Sequence, residues 1–341
     1  MKPADAKLMK ELNKMILRRI FKANIEVTAG QLSKQSGLST VTVNALLKEM
    51  KGHQEIFEME TIPSNGGRPS RLYRYNERLR CAAIIYGFQK NNEDHITLIV
   101  TDLLGNPIFR KEKVFECIIE TTFDELLDVA FEAYPMIELI CFGLPGSEEQ
   151  GVITLCDYPM LIGNTFMDYY QRRYETPVLF INDINAAVNG YYHEELNADI
   201  SGTVIGIFFP RRYFPGAGAI INGEIYKGSH NFAGELGCLP LGIDWLAIDY
   251  ENSELVSDVV SKLLAMISCI LAPKQFILYG DFWNSNSASH VKAKTEIMLN
   301  HKFEIQVLVS NDFEEHYEQG MINAALEQLE ADVQKFDTSK I

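Results

Sequence analysis

The chain lacks several features that would define its class at once. None of its six cysteines forms a Cys-x-x-Cys pair, and its seven histidines are equally dispersed. Isolated ligands do not make a zinc site, so thiols at 81, 117, 141, 156, 238 and 269, mostly inside apolar segments, read as buried side chains rather than a disulfide framework. No apolar run approaches the roughly 20 residues that a membrane span needs, and the Lys-rich N-terminus has no apolar signal core. A cytoplasmic location without a membrane partner is the expectation. The remaining composition, 47% hydrophobic and 23% charged over 341 residues, suits a globular chain of two or three domains.

Positive charge is also scarce, with 31 basic residues against 46 acidic ones and a net charge of −15. It is unevenly placed. Residues 1–80 hold 15 basic and 8 acidic residues, a balance of +7, which leaves −22 for the rest. A basic module joined to an acidic body suggests a polyanion that meets the first and is repelled by the second. Solvated faces can produce the same asymmetry, so the motifs must decide.

From Ala6 to Lys22 the apolar residues Leu8, Leu12, Met15, Ile16, Ile20 and Phe21 recur at helical spacing, which predicts an amphipathic helix. Val27 to Met50 then offers two short helices across a turn at Gly37, with Thr28 and Ser39 as N-caps. Ala29, Leu32, Leu38, Val43, Leu46 and Leu47 would hold these helices across one another as a helix-turn-helix. The second helix would present Ser39, Thr40, Thr42 and Asn44 to base edges and phosphates, with Lys48 adding a phosphate contact. It carries no arginine, so hydroxyl, amide and methyl contacts are expected to outweigh a bidentate reading of guanine. A small helical dimerisation module would show the same pattern. Two alternating segments, 55–60 and 71–75, flank a loop at 63–70 and complete a wing. Arg68 at its tip is placed to enter a minor groove, and the partner implied is a double-stranded DNA operator.

The body after Arg80 reads as strands followed by crossover helices, and hence as an α/β sheet. Strands are expected at 81–87, 96–102, 108–115 and 139–146, with helices at 123–134 and 166–174. The apolar run Pro177 to Ile181 ends in Asn182 and Asp183, and polar groups just past a buried strand face a cleft in such sheets. Capping of the helix that starts at Ile184 is the plainer alternative for both residues.

The segment Gly66-Gly67-Arg68-Pro69-Ser70-Arg71-Leu72-Tyr73-Arg74-Tyr75-Asn76, with the preceding Gly37-Leu38-Ser39 turn, resembles the wing and linker of ROK regulators. These form the repressor branch of a family that also contains bacterial sugar kinases. Over most of 81–330 the chain is similar to the family's actin-like ATPase fold. Leu144-Pro145-Gly146 with Gly151-Val152-Ile153 resembles its Pro-Gly loop, Asn182-Asp183 its sugar site, and Ala233-Gly234-Glu235-Leu236-Gly237 its glutamate motif. The resemblance implies an N-terminal winged helix-turn-helix at 1–80 and a first lobe at 81–190 completed by a C-terminal helix at 313–335. A second lobe would occupy 191–312. It also implies a homodimer or homotetramer with a sugar or sugar phosphate held by Asn182, Asp183, Glu235 and Gly146.

Departures from the kinase pattern are concentrated in nucleotide binding. Tyr86-Gly87-Phe88-Gln89-Lys90-Asn91 stands where the kinases carry Asp-x-Gly-x-Thr, and a loop with Pro210 and Pro215 stands where they carry a Gly-Thr-Gly run. Gln275 to Asp281 replaces the glycines beside adenine. Cys238 replaces the histidine of the family's zinc element, Leu239 to Asp249 contains no cysteine, and Met160 replaces a common asparagine. The expectation is therefore a carbohydrate-sensing repressor that uses no cofactor or metal, with Asp183 as a vestigial base. Two alternatives stand beside it: a sugar kinase using ATP with an appended DNA-binding module, and a ligand-free DNA-binding scaffold.

Overall fold

The computed structural model describes residues 3–62, 70–90, 93–196 and 202–338. At the N-terminus, α1 (Pro3–Asn24), β1 (Glu26–Thr28), α2 (Ala29–Ser36), α3 (Thr40–Gly52), β2 (Ile56–Ile62) and β3 (Ser70–Tyr75) follow in order. The strands form an antiparallel sheet in the order β1-β3-β2. Local chemistry sets the turn between α2 and α3. Thr28 and Gln31 form a capping box, Gly37 closes α2 at φ +71°, and Ser39 Oγ accepts the Thr42 N–H at 3.1 Å. The arrangement is a helix-turn-helix followed by a hairpin, and the hairpin tip, with Arg68, lies outside the described residues.

α1 differs from its expected docking. Leu17 and Phe21 are buried, whereas Leu8, Leu12, Met15 and Ile16 are exposed. Its packed face also carries ion pairs. Lys14 is buried with its ammonium on Glu49 of α3 at 2.5 Å and Glu11 at 3.0 Å, and Arg18 grips Glu55 through two bonds of 2.7 and 2.9 Å. A buried ammonium must face its carboxylate, and Lys14 shares the packed face of α1 with Leu17 and Phe21.

The first lobe begins with the meander β4 (Cys81–Lys90), β5 (Glu93–Thr101) and β6 (Pro107–Phe115). After α4 (Asp124–Ala133), β7 (Ile137–Leu144) pairs parallel to β4. The hairpin β8 (Gly146–Glu149) and β9 (Val152–Cys156) precedes α5 (Phe166–Tyr174), and β10 (Val178–Asn182) pairs parallel to β7. The sheet order is β10-β7-β4-β5-β6. Then α6 (Asp183–Glu194) leads to a second sheet built on the same plan. Here β11 (Thr203–Phe208), β12 (Gly216–Ile221) and β13 (Glu224–Ile225) are antiparallel, α7 (Ser253–Leu271) and α8 (Ser285–Met298) are the crossovers, and β14 (Gln275–Tyr279) and β15 (Gln306–Ser310) run parallel to β11. Its order is β13-β12-β11-β14-β15. Each lobe thus repeats an antiparallel meander extended by two parallel strands, as the actin-like expectation requires. Among the described residues no helix is long and apolar enough to cross a membrane.

The last helix, α9 (Phe313–Thr338), returns to the first lobe and crosses α6. The crossing is close because both helices carry glycine there. A Cβ at Gly190 would lie 1.9 Å from the His316 carbonyl oxygen, and one at Gly320 would lie 1.8 Å from that of Ala186. Further along, the Leu329 carbonyl accepts a bond from Arg80 Nη1 at 3.1 Å, and Glu330 pairs with Lys22 of α1. One helix therefore touches the first lobe, α6 and the N-terminal module. Gly320→Ala is expected to destabilise by about 1–3 kcal/mol through overpacking, roughly 2–4 °C in Tm for each kcal/mol. Gly52→Ala, where a Cβ meets nothing within 4 Å, should change Tm little; equal melting of the two variants in calorimetry would contradict this packing.

Candidate functional site

A cleft of about 630 Å³ opens between the lobes. Its position follows from the strand plan. Pro145 follows β7, Asp183 follows β10, Phe208 and Phe209 stand at the end of β11, Gly280 follows β14, and Ser310 ends β15. The carboxyl ends of parallel strands from both sheets thus meet at one crevice, where α/β sheets receive ligands. The second-lobe wall is largely aromatic, with Phe208, Phe209, Tyr213 and Trp283.

Asn182 is held at both ends of its amide. Its Oδ1 accepts the Asn185 N–H at 3.1 Å as the N-cap of α6, and its Nδ2 donates to the Gly146 carbonyl at 3.0 Å. The capping alternative therefore describes Asn182 well, and its work is to tie β10 to the Gly146 loop. Gly146 itself has little freedom, since a Cβ would lie 2.2 Å from the Leu155 carbonyl oxygen on the facing strand. Asp183 lines the cleft, and its Oδ1 accepts its neighbour Ile184 N–H at 2.8 Å. Burial pushes its carboxyl up to about 6, helped by the Glu235 charge and opposed by the Ile184 bond.

Glu235 reaches the first lobe from the second, where Ser147 Oγ lies 3.2 Å from its Oε1 and 3.0 Å from the Asn231 carbonyl. It does not line the cleft itself, but its charge bears on Asp183 and Asp157. Gly234 makes this approach possible: at φ +98° it packs so closely on β12 that a Cβ would meet the Ala217 carbonyl oxygen at 1.9 Å. Asn231 donates to the Glu148 carbonyl and His230 pairs with Glu149, so the segment around Glu235 fastens one lobe to the other.

Sequence reasoning missed Asp157 and Tyr158, which share the cleft with Asp183. A usable signal exists, because Asp157 follows the short strand β9 just as Asp183 follows β10. Burial, then the charges of Asp183, Glu235 and Asp94, raises the Asp157 carboxyl to about 8. Met160 is 62% exposed, and Cys117, Cys238 and Cys269 are exposed, so the reading of the thiols as buried holds for Cys81 and Cys141 only. Among the described residues no cluster of His, Cys, Asp or Glu is arranged to hold a metal ion. Where the resemblance would put phosphate loops, β4 runs as unbroken strand to Lys90, and Arg211 is bound to Asp281 at 2.8 Å and Glu251 at 2.9 Å.

On α3, Thr40, Val41, Asn44, Ala45 and Lys48 are exposed on one face, whereas the Ser39 and Thr42 hydroxyls are 2.8 Å apart within the N-cap. Val41, at 82% exposure, belongs to the same face, although the sequence reading named it neither as a packing residue nor as a DNA contact.

Residues 93–254 match the model of the ROK family. The chain carries a ROK family domain. The xylose repressor of Bacillus subtilis (strain 168) is 27% identical over 244 residues, 69% of this chain and 62% of that protein. A putative xylose repressor of Caldicellulosiruptor sp. (strain Rt8B.4) is 26% identical over 245 residues, 67% of this chain and 59% of its own. The chain thus spans about three fifths of the length of the curated relatives it matches. Among solved structures, a ROK family transcriptional regulator described as a homologue of the E. coli MLC protein superposes with a TM-score of 0.60 at 16% identity, covering 88% of this chain and 92% of its own. The ROK hexokinase of Thermus thermophilus gives 0.56 at 16% identity, covering 71% and 96%. The fold of the ROK domain is therefore common to regulators and kinases.

The raised carboxyl values set a stability trend. In the folded state Asp157 keeps its proton from the ordinary aspartate value near 4 up to about 8, so folding binds protons across that window and stability falls as pH rises. Asp157→Asn removes this contribution. The Tm of the variant minus that of the wild type should grow by a few degrees between pH 4 and pH 8; a flat or shrinking difference in scanning fluorimetry would contradict the assignment.

Proposed function

We propose that this chain is a transcriptional repressor whose N-terminal module binds a double-stranded DNA operator and whose ROK body senses a sugar or sugar phosphate without phosphorylating it. The observation that carries this reading is one helix, α9, that runs from the carboxylate-lined cleft to Lys22 and Arg80 of the module whose α3 face is exposed. Relatives named as xylose repressors support it, and the names are theirs. In the proposed complex, Thr40, Asn44 and Lys48 contact bases and phosphates, Val41 and Ala45 meet thymine methyls, and Ser39 and Thr42 hold the helix start. Arg68 would reach the minor groove from the wing. Two such modules in a homodimer would read two half-sites.

In the body, Asp183 accepts ligand hydroxyls, Glu235 adds charge and lobe contact, and Asn182 and Gly146 position the loop. A carboxylate at this place is also the usual general base for phosphoryl transfer, and the fold is shared with a ROK hexokinase, so a kinase is the second reading. The unbroken β4 and the pairing of Arg211 favour sensing. Ligand would act by population shift, binding one lobe arrangement better and so changing operator affinity.

Operators selected from a random DNA pool should bind the full chain specifically at physiological salt. Asn44→Ala should cost about 1–3 kcal/mol and relax preference at one base pair, while Lys48→Ala should weaken all sequences alike and lower the salt slope by about one. No specific retention in fluorescence anisotropy would overturn the regulator reading. Sugar-dependent ATP turnover that disappears in Asp183→Asn would establish the kinase instead.

A further inference from the structure

We infer that the outer face of α1 is a contact between two copies of this chain, one that pairs their N-terminal modules. The inference rests on the regulator reading and deepens it, since paired modules present two α3 helices to two half-sites. Lys14, Leu17 and Phe21 turn inward, while Leu8, Met9, Leu12 and Ile16 stand outward, from 62% exposure at Leu8 to 41% at Ile16. Together these four expose on the order of 400 Å² of apolar surface, the size of a patch that marks an interaction site on a monomer.

The chemistry of the face argues against DNA as its occupant. Phosphates are met by cations, and those of α1 are engaged inside the protein: Lys10 and Lys14 pair with Glu49, Arg18 with Glu55 and Lys22 with Glu330. The same pairings lower the repulsion that a basic module would offer to its own copy. Leu12 and Ile16 stand two residues to either side of Lys14, about 200° around the helix, so the outer face points away from α3. Glu49 also lies near the C-terminal end of α3, remote from Thr40 at its start. A mate seated on α1 therefore leaves the α3 surface open.

A second copy fits because the face is complementary to itself. Leu8, Leu12, Ile16 and Arg19 follow one another at helical spacing along a single seam. A twofold axis at Leu12 between antiparallel α1 helices sets Leu8 against Ile16 in both halves, apolar on apolar. The same register brings Arg19, exposed and without an ion pair among the described residues, beside position 5 of the mate, an aspartate in the sequence. The patch is about half of the roughly 800 Å² that each partner buries in an ordinary interface. The contact thus pairs modules that are also held together by the bodies or by one DNA, rather than carrying a dimer alone.

Disulfide trapping in the full chain tests this. In a background with the exposed Cys117, Cys238 and Cys269 changed to serine, Leu12→Cys puts a thiol at the axis and Glu26→Cys puts one away from it, on the exposed start of β1. Under copper-phenanthroline oxidation Leu12→Cys should form covalent dimer about tenfold faster than Glu26→Cys or more, and adding Ile16→Glu should slow it by a similar factor. Thermal melts check that the variants fold, and Leu8→Glu is a second charge placed on the same seam. Equal trapping of the two cysteines, or trapping that neither Ile16→Glu nor Leu8→Glu slows, would overturn the inference. So would flotation of the wild-type chain with phosphatidylserine vesicles that is lost in Leu12→Glu, because a lipid surface would then cover the face. Trapping at Leu12 without specific DNA retention would keep this contact and overturn the regulator reading, and specific retention without trapping would do the reverse.

Discussion

The crossing of α6 and α9 is the contact on which the rest of the structure depends. At Gly190 and Gly320 the two helix backbones approach more closely than any Cβ would allow. Glycine inside a helix costs about 1 kcal/mol relative to alanine, so two such residues weaken each helix alone and are offset only by packing between them. That packing fixes the start of α6, where Asn182 caps the helix and Asp183 enters the cleft. From the same crossing α9 runs past Gly143 of β7, where Tyr317 and Met321 fill the space a side chain would need, to Leu329 and Glu330 beside the N-terminal module. A change in lobe angle that moves α6 must move α9 or break this contact.

Electrostatics divides the labour along that helix. The body is strongly acidic, and its cleft is lined by Asp157 and Asp183, with Glu235 close enough for its charge to bear on both; all three carboxyls are raised. In the proposed reading such a site takes a ligand rich in hydroxyls. The same acidity repels a nucleic acid from the body, so an operator would be met by the basic first 80 residues, with α3 outward. Ion pairs also tie α1 to its neighbours, where Lys14 and Arg18 face Glu49 and Glu55 beside the buried Leu17 and Phe21.

Much of this was legible because it rests on local patterns. The α/β class follows from apolar runs separated by amphipathic ones, and helix α5 falls where its spacing predicts it, at Phe166–Tyr174. Thr28, Gly37 and Ser39 mark the turn by their own hydrogen bonds and left-handed backbone. Asp183 stands out because it ends an apolar strand. What was not legible depends on partners distant in sequence. Strand β1 is three residues long and exists only by pairing with β3, more than forty residues later. Asp157 sits in a turn whose importance comes from Pro145 and Asp183, neither adjacent to it.

The central claim is that occupancy of the cleft is felt at the operator through α9. The most direct measurement is the ratio of operator Kd with and without a saturating concentration of the sugar that binds the cleft. A ratio differing from one by about fivefold or more is expected in the wild type, the scale of ordinary allosteric coupling. Equal operator affinity with the cleft filled and empty would contradict it.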